Sequence, residues 1–171
     1  RAIRVVRSMG YEKVAILGFS AGGHLTCTAA TLYDAGDPDA ADPLERLSSR
    51  PDAFIPCYAV VSFGAFTHRG SRESLLGQEN ADNWELVRKF SNELHITPDT
   101  PEAFIWHTAA DQAVPVENSL NLALALSAQG VPYEMHIFPQ GRHGLGLAEE
   151  FEDVKQWVPL LQKWLVLRNY N

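Results

Sequence analysis

The chain has 171 residues, of which 46% are hydrophobic and 20% are charged, and its formal net charge at pH 7 is −7. This balance is typical of a globular domain with a buried core and excludes intrinsic disorder. The acidic charge, without a lysine or arginine cluster, argues against nucleic-acid binding, and no apolar run reaches the ~18 residues of a membrane span.

The first half of the sequence alternates between helix and strand patterns. In chain order we predict a helix at residues 1–9, a strand at 13–17, a helix at 20–33, a loop at 34–52 and a strand at 53–61. The strands are short apolar runs bounded by turn residues, which is the pattern of buried parallel strands. Pro56 predicts that pairing begins late in the second strand.

The second half repeats this alternation. In chain order we predict a loop at residues 62–81, a helix at 82–92, a strand at 103–107, a helix at 116–129, a strand at 133–138 and a helix at 149–167. Pro159 should bend the last helix or mark a restart. Four alternations of strand and helix indicate parallel strands, with functional groups at their carboxyl ends. We expect an α/β fold that forms a single domain over residues 1–171.

The segment GFSAGGHL, residues 18–25, follows the first strand and places a serine between glycines. A Gly-x-Ser-x-Gly pentapeptide between a strand and a helix is the pattern of a nucleophile elbow, where the serine backbone is strained and side chains two residues away would clash. Ser20 is therefore the candidate nucleophile, and the backbone N–H of Ala21 is a candidate oxyanion donor. A phosphate-binding loop would need a Gly-Lys-Ser/Thr ending, which is missing.

A serine nucleophile needs a base, and the base needs a carboxylate to orient it. Asp111 follows the third predicted strand, and His143 follows the fourth within the segment GRHG. Glycines on both sides would let that loop bring the imidazole back across the strand ends. The order Ser20, Asp111, His143 is the order of α/β-hydrolase triads. An alternative role for Asp111 is stabilisation of the helix that begins near Val116.

The other candidate residues have structural interpretations. We expect His24 to support the turn and His107 to support the site from the end of the third strand. His68, in a loop, is predicted either to contact substrate or to be solvated. Trp106 is predicted to lie in the core rather than in the active-site wall. No histidine pairs with acids at metal-ligand spacing, so we expect neither a metal site nor a cofactor.

Five blocks of the sequence carry a family resemblance. They are GFSAGGHL at residues 18–25, THRGS with LLG within 67–77, TPDTP at 97–101, WHTAAD with VPVENS within 106–119, and FPQGRHGLGLA at 138–148. Through them the chain resembles the α/β-hydrolase superfamily and, within it, the bacterial acetylxylan-esterase-like carbohydrate esterases, close to the bifunctional acetylxylan/feruloyl esterase group.

This resemblance implies a serine esterase that forms an acyl-enzyme. Ser20 would be the acylated nucleophile, His143 the general base and then acid, and Asp111 the residue that orients it. The implied substrates are short acyl esters, foremost acetyl groups on xylan or xylo-oligosaccharides.

The sequence departs from the family in two respects. Ala110 stands where the family often has a second acid. Family members also carry upstream strands and a His-Gly-Gly-Gly-type loop whose N–H is the second oxyanion donor, and nothing here matches them. We therefore expect the C-terminal part of an α/β-hydrolase fold, a mostly parallel sheet flanked by helices, with the N-terminal strands missing and the first strand's edge uncovered.

Two other functions fit the same sequence. A prolyl-oligopeptidase-type serine peptidase shares the triad order, and a non-catalytic hydrolase-fold binding protein would explain the missing oxyanion loop. The expected partner is a small-molecule or oligosaccharide ester, not nucleic acid or a membrane, and an uncovered strand edge would favour a homo-oligomer. Cys27 and Cys57 are too few for a disulfide framework, which fits a reducing, cytoplasmic location.

Overall fold

The computed structural model describes residues 1–170, which contain a parallel sheet flanked by helices. The strands are β1 (Ala15–Phe19), β2 (Ala53–Cys57), β3 (Glu102–Thr108) and β4 (Tyr133–Phe138). The α-helices are α1 (Ala2–Ser8), α2 (Ala21–Thr31), α3 (Arg69–Leu76), α4 (Trp84–Lys89), α5 (Glu117–Ala128) and α6 (Trp157–Leu167). Single turns of 3-10 helix lie at Pro43–Arg46, Gln78–Asn80, Asn92–His95 and Val154–Gln156. The strand order in the sheet is β1-β2-β3-β4 with parallel pairings, so the predicted α/β class is confirmed.

The two faces of the sheet carry separate hydrophobic cores, because successive side chains of a strand point to opposite faces. Phe54 and Ile105 belong to the core that is shared with α2 and α5. Trp106 belongs to the opposite core, which it shares with Trp157 and Trp164 of α6. Helices on both faces bury the central strands, which explains why β2 and β3 are continuous apolar runs in the sequence.

Strand β2 differs from its prediction in two ways. It ends at Cys57 because Tyr58 has a φ of 36°, outside the range of strand residues. Residues 58–61 are nevertheless buried. The apolar run therefore predicted their burial correctly, but its extension of the strand to residue 61 was wrong. Pairing begins at Ala53, so the late start predicted from Pro56 was wrong. Pro56 has no N–H to donate, and the pairing between β2 and β3 has a gap at Ile55 and Pro56, with the same register on both sides of it.

Two helices also differ from the predictions. Helix α3 lies in a region predicted as loop, and its first turn is capped by the ring of His68, which accepts a hydrogen bond from the Ser71 N–H. Helix α6 continues through Pro159, which lies in its first turn, where an N–H has no acceptor within the helix. A single 3-10 turn precedes α6, so the chain restarts there. In residues 1–170 no helix combines the length and apolar character that crossing a membrane requires.

Candidate active site

Ser20 lies at the sharp turn between β1 and α2. Its φ of 54° and ψ of −116° are unusual for a residue with a side chain. Backbone hydrogen bonds hold this conformation, because the Ser20 N–H donates to Cys57 at 3.0 Å and its carbonyl accepts from Val60 at 3.3 Å. The end of β2 and the segment after it therefore hold the serine through both its N–H and its carbonyl.

Two of the three glycines around Ser20 lie where a side chain would clash, and they are not the two that the sequence pattern predicts. A Cβ at Gly18 would lie 2.1 Å from the Gly22 carbonyl oxygen, and a Cβ at Gly23 would lie 2.4 Å from Ala59 Cβ. A Cβ at Gly22, in contrast, would meet no atom within 4 Å. The expectation that both positions two residues from the serine exclude a side chain holds for Gly18 and was wrong for Gly22. The second position that excludes a side chain is Gly23, where α2 packs on the segment after β2.

The side chains of Ser20, His143 and Asp111 form one hydrogen-bonded chain. The Ser20 Oγ and His143 Nε2 are 2.7 Å apart, and His143 Nδ1 and Asp111 Oδ2 are 2.6 Å apart. Because a carboxylate only accepts, His143 Nδ1 carries the proton and Nε2 is free to accept from the serine hydroxyl. The Asp111 side chain is fully buried, whereas that of His143 is 22% exposed. Solvent therefore reaches the chain at the imidazole and not at the carboxylate.

Asp111 is fixed through both of its oxygens. Its Oδ1 accepts from the N–H groups of Ala113 and Val114, at 2.9 and 3.0 Å. These amides precede α5, so the carboxylate closes the turn after β3. It does not cap α5, whereas the alternative interpretation would require such a cap. Burial raises the pKa of Asp111, but the N–H groups of His107, His143 and the two amides outweigh it and hold that pKa well below its usual range.

The loop that carries His143 is fixed by glycine conformations and by Tyr58. Gly141 and Gly144 have φ values of 139° and 78°, which residues with side chains rarely adopt. Tyr58 accepts a hydrogen bond from the Gly146 N–H at 2.9 Å, and its ring meets the His143 ring edge-on at 5.1 Å between centroids. The sequence analysis missed Tyr58, since nothing in an apolar run distinguishes a residue that will leave the strand.

Two cavities lie beside the candidate triad, one lined by Ala21 and the other by His143. The first has a volume of about 510 Å³ and is lined by Ala21, His24, Phe63, His68, Gly70, Ser71, Ser74 and Leu75. The second has a volume of about 500 Å³ and is lined by Ala110, Gln112, Ala113, Gln140, Gly141, Arg142, His143 and Phe151. Ala21 is the first residue of α2, where an N–H has no acceptor within the helix and the helix dipole is positive. Its N–H is thus available to a partial negative charge next to Ser20.

The remaining predicted residues have structural contacts. His24 donates from Nε2 to the Phe90 carbonyl at 2.9 Å and stacks on Phe63, so it supports the turn. His68 both caps α3 and lines the first cavity. Trp106 is fully buried against Tyr58 and Trp157, so it lies in the core as predicted. Among residues 1–170 we find no cluster of three or more His, Cys, Asp or Glu side chains that could hold a metal ion.

Comparisons with known proteins identify the family. The model of the BD-FAE family matches residues 8–126. Endo-1,4-beta-xylanase B of Butyrivibrio fibrisolvens is 38% identical over 159 residues, which are 88% of this chain and 24% of that protein. Acetylxylan esterase of Xylanibacter ruminicola is 31% identical over 155 residues, which are 89% of this chain and 30% of that protein.

A solved structure is similar over nearly the whole chain. The acetyl ester-xyloside bifunctional hydrolase from Caldicellulosiruptor lactoaceticus superposes with a TM-score of 0.94 at 46% identity, over 99% of this chain and 64% of that one. This chain therefore spans less than a third of the two sequence relatives and about two thirds of the structural one. The match over residues 8–126, together with the parallel sheet and the strained serine turn, shows that the chain belongs to the BD-FAE family of α/β-hydrolases.

Proposed function

We propose that this protein is a serine carboxylesterase that hydrolyses short acyl esters, foremost acetyl groups on xylan or xylo-oligosaccharides. One observation carries the proposal: the continuous hydrogen-bonded chain from the Ser20 hydroxyl through His143 to the buried Asp111 carboxylate. Such a chain activates a hydroxyl as a nucleophile. The substrate class is supported by the names of similar proteins, an acetylxylan esterase and an acetyl ester-xyloside hydrolase.

The proposed reaction proceeds through an acyl-enzyme. His143 Nε2 takes the hydroxyl proton while Ser20 Oγ attacks the ester carbonyl, and the Ala21 N–H stabilises the negative charge that develops on the carbonyl oxygen. The imidazolium then gives its proton to the leaving alcohol, and the carbon–oxygen bond to that alcohol breaks. A water molecule attacks the acyl-enzyme in the same way, which releases the acid and restores the serine.

The two cavities suggest where the parts of the ester would bind. His143 must reach the leaving oxygen to protonate it, so the alcohol belongs in the cavity that His143 lines. That cavity presents the side chains of Gln112, Gln140 and Arg142, which can bond to sugar hydroxyls. The acyl group then lies on the opposite side of Ser20, in the cavity that includes Ala21, Phe63 and Leu75.

The experiment compares three substrates on one preparation: p-nitrophenyl acetate, acetylated xylo-oligosaccharides and a prolyl peptide amide. p-Nitrophenyl acetate should give a rapid release of nitrophenol close to one equivalent per chain, and acetylated xylo-oligosaccharides should release acetate. Ser20→Ala should lose both activities, by about a millionfold in kcat. The control Ser127→Ala removes a hydroxyl from an exposed position on α5 and should keep both.

The outcomes separate the candidate functions. Cleavage of a prolyl peptide amide, with no acetate released from the oligosaccharides, would favour the prolyl-oligopeptidase-type peptidase. The absence of any Ser20-dependent burst would favour the non-catalytic binding protein. Acetate release that survives in Ser20→Ala would overturn the proposed mechanism.

A further inference from the structure

A second histidine lies behind the candidate triad. His107, in β3, is fully buried. Its Nδ1 is 2.8 Å from the Ser119 hydroxyl oxygen and its Nε2 is 3.1 Å from the Val114 carbonyl oxygen. The same Nε2 is 3.4 Å from Asp111 Oδ2, the oxygen that accepts from His143. His107 contacts no group that reacts in the proposed mechanism, so its buried polar ring needs another explanation.

The contact to Val114 fixes one hydrogen-bond direction. The Val114 carbonyl can only accept, so Nε2 of His107 carries a proton and donates to that oxygen, while Nδ1 bonds to the Ser119 hydroxyl. The same Nε2 lies 3.4 Å from Asp111 Oδ2, so its partial positive charge attracts the carboxylate.

The same contacts tie the loop that carries Asp111 to the rest of the fold. His107 belongs to the central sheet, Ser119 to α5, and Val114 to the turn between them. Asp111 Oδ1 is held by two amides of its own turn, whereas the contacts of Oδ2 within residues 1–170 are to the side chains of His107 and His143. Of these two partners, only His107 is anchored in the sheet.

We propose that His107 is a positioning residue, which holds the Asp111 carboxylate where its Oδ2 meets His143 Nδ1. The inference rests on the proposed function, because it assigns a task within the same triad. The titratable groups near Asp111 are His107 from β3, His143 from the loop after β4, and Tyr58 from the segment after β2. Without His107, the oxygen that orients His143 loses its contact to the sheet.

The test uses two variants of His107, compared per active site by the size of the nitrophenol burst. His107→Leu keeps bulk but has no N–H. In His107→Gln the amide nitrogen can take the place of Nε2. We expect His107→Leu to lower kcat about 10–100-fold with KM unchanged, as loss of an outer hydrogen bond does for ligating histidines. His107→Gln should restore most of the lost kcat.

A spectroscopic measurement separates this inference from the proposed function. The His143 Nδ1 proton, in its short bond to Asp111, should give a far-downfield proton NMR signal that shifts or broadens in His107→Leu and returns in His107→Gln. This readout needs no substrate, so it decides on His107 even if the wild-type chain shows no burst. If His107→Leu does not fold, Ser119→Ala replaces it, with a smaller change in the same direction.

Two results would overturn the inference. One is a folded His107→Leu, or in its absence Ser119→Ala, with the wild-type kcat and downfield signal. The other is a His107→Gln that is as impaired per active site as His107→Leu, since the ring's shape rather than its N–H would then be what matters.

Discussion

Replacing Gly18 by alanine should damage the serine turn, because the structure leaves no room for a methyl group there. A Cβ at Gly18 would lie 2.1 Å from the Gly22 carbonyl oxygen and 2.4 Å from Thr26 Oγ1, whereas real Cβ contacts essentially never fall below 3.0 Å. Both atoms belong to the first turns of α2, where Thr26 Oγ1 donates to that same carbonyl. The start of α2 must therefore move away from β1 by about 1 Å.

The size of the effect follows from this displacement. Forcing an extra methyl group into a packed site costs about 1–3 kcal/mol, and each kcal/mol lowers Tm by about 2–4 °C in a domain of this size. A shift of about 1 Å at the nucleophile is also enough to reduce kcat about a hundredfold. Gly18→Ala should therefore lower Tm by about 2–12 °C and impair the acylation of Ser20.

The assay combines thermal unfolding with nitrophenol release from p-nitrophenyl acetate. The matched control is Gly22→Ala, because a Cβ at Gly22 would meet no atom within 4 Å. Exchange of a helical glycine for alanine at an open position should leave Tm unchanged or raise it slightly. The reasoning fails if Gly18→Ala matches the wild-type protein in Tm and kcat, or if Gly22→Ala is equally damaging.

Three further predictions concern ionisation. The pKa of Asp111 is lower in the folded chain than in the unfolded one, so its contribution to stability is present above pH ~3.9 and disappears as the pH falls further. Urea unfolding should therefore show a shallower acid decline for Asp111→Asn, and an unchanged decline would contradict this. Burial lowers the pKa of His24, although its bond to the Phe90 carbonyl opposes this. The unfolded chain then binds the proton more readily, stability should fall below pH ~6.5, and His24→Gln should remove that part of the slope. Burial raises the pKa of both Cys27 and Cys57, so a disulfide thiol reagent should modify them only after denaturation; rapid reaction with the folded protein would refute their burial.

The sequence predicts the places where backbone sterics leave little choice. Glycines next to Ser20 mark a turn that a chain of ordinary residues could not make, and short apolar runs mark strands that are buried on both faces. Once the strands are taken as parallel, Asp111 and His143 must follow neighbouring strands at the same edge of the sheet. Local sequence patterns therefore predict that the side chains of Ser20, Asp111 and His143 lie close together.

The sequence does not predict features that arise only from contacts between distant segments. Tyr58 leaves the strand with a φ of 36°, and its hydroxyl accepts from the N–H of Gly146, which is 88 residues away. Helix α3 is short, and its cap is His68, a residue type that is uncommon at that position. Neither feature leaves a periodic pattern for sequence analysis to detect.

The most direct test of the proposed triad is covalent labelling of the protein with an activated phosphonate ester, followed by peptide mass spectrometry. A phosphonate reacts with an activated serine hydroxyl and remains attached. We predict one adduct per chain, on Ser20, with labelling slowed by about 10⁴-fold in Asp111→Asn because His143 loses the partner that fixes its tautomer. An adduct on another residue, or labelling of Asp111→Asn at the wild-type rate, would contradict the proposed mechanism.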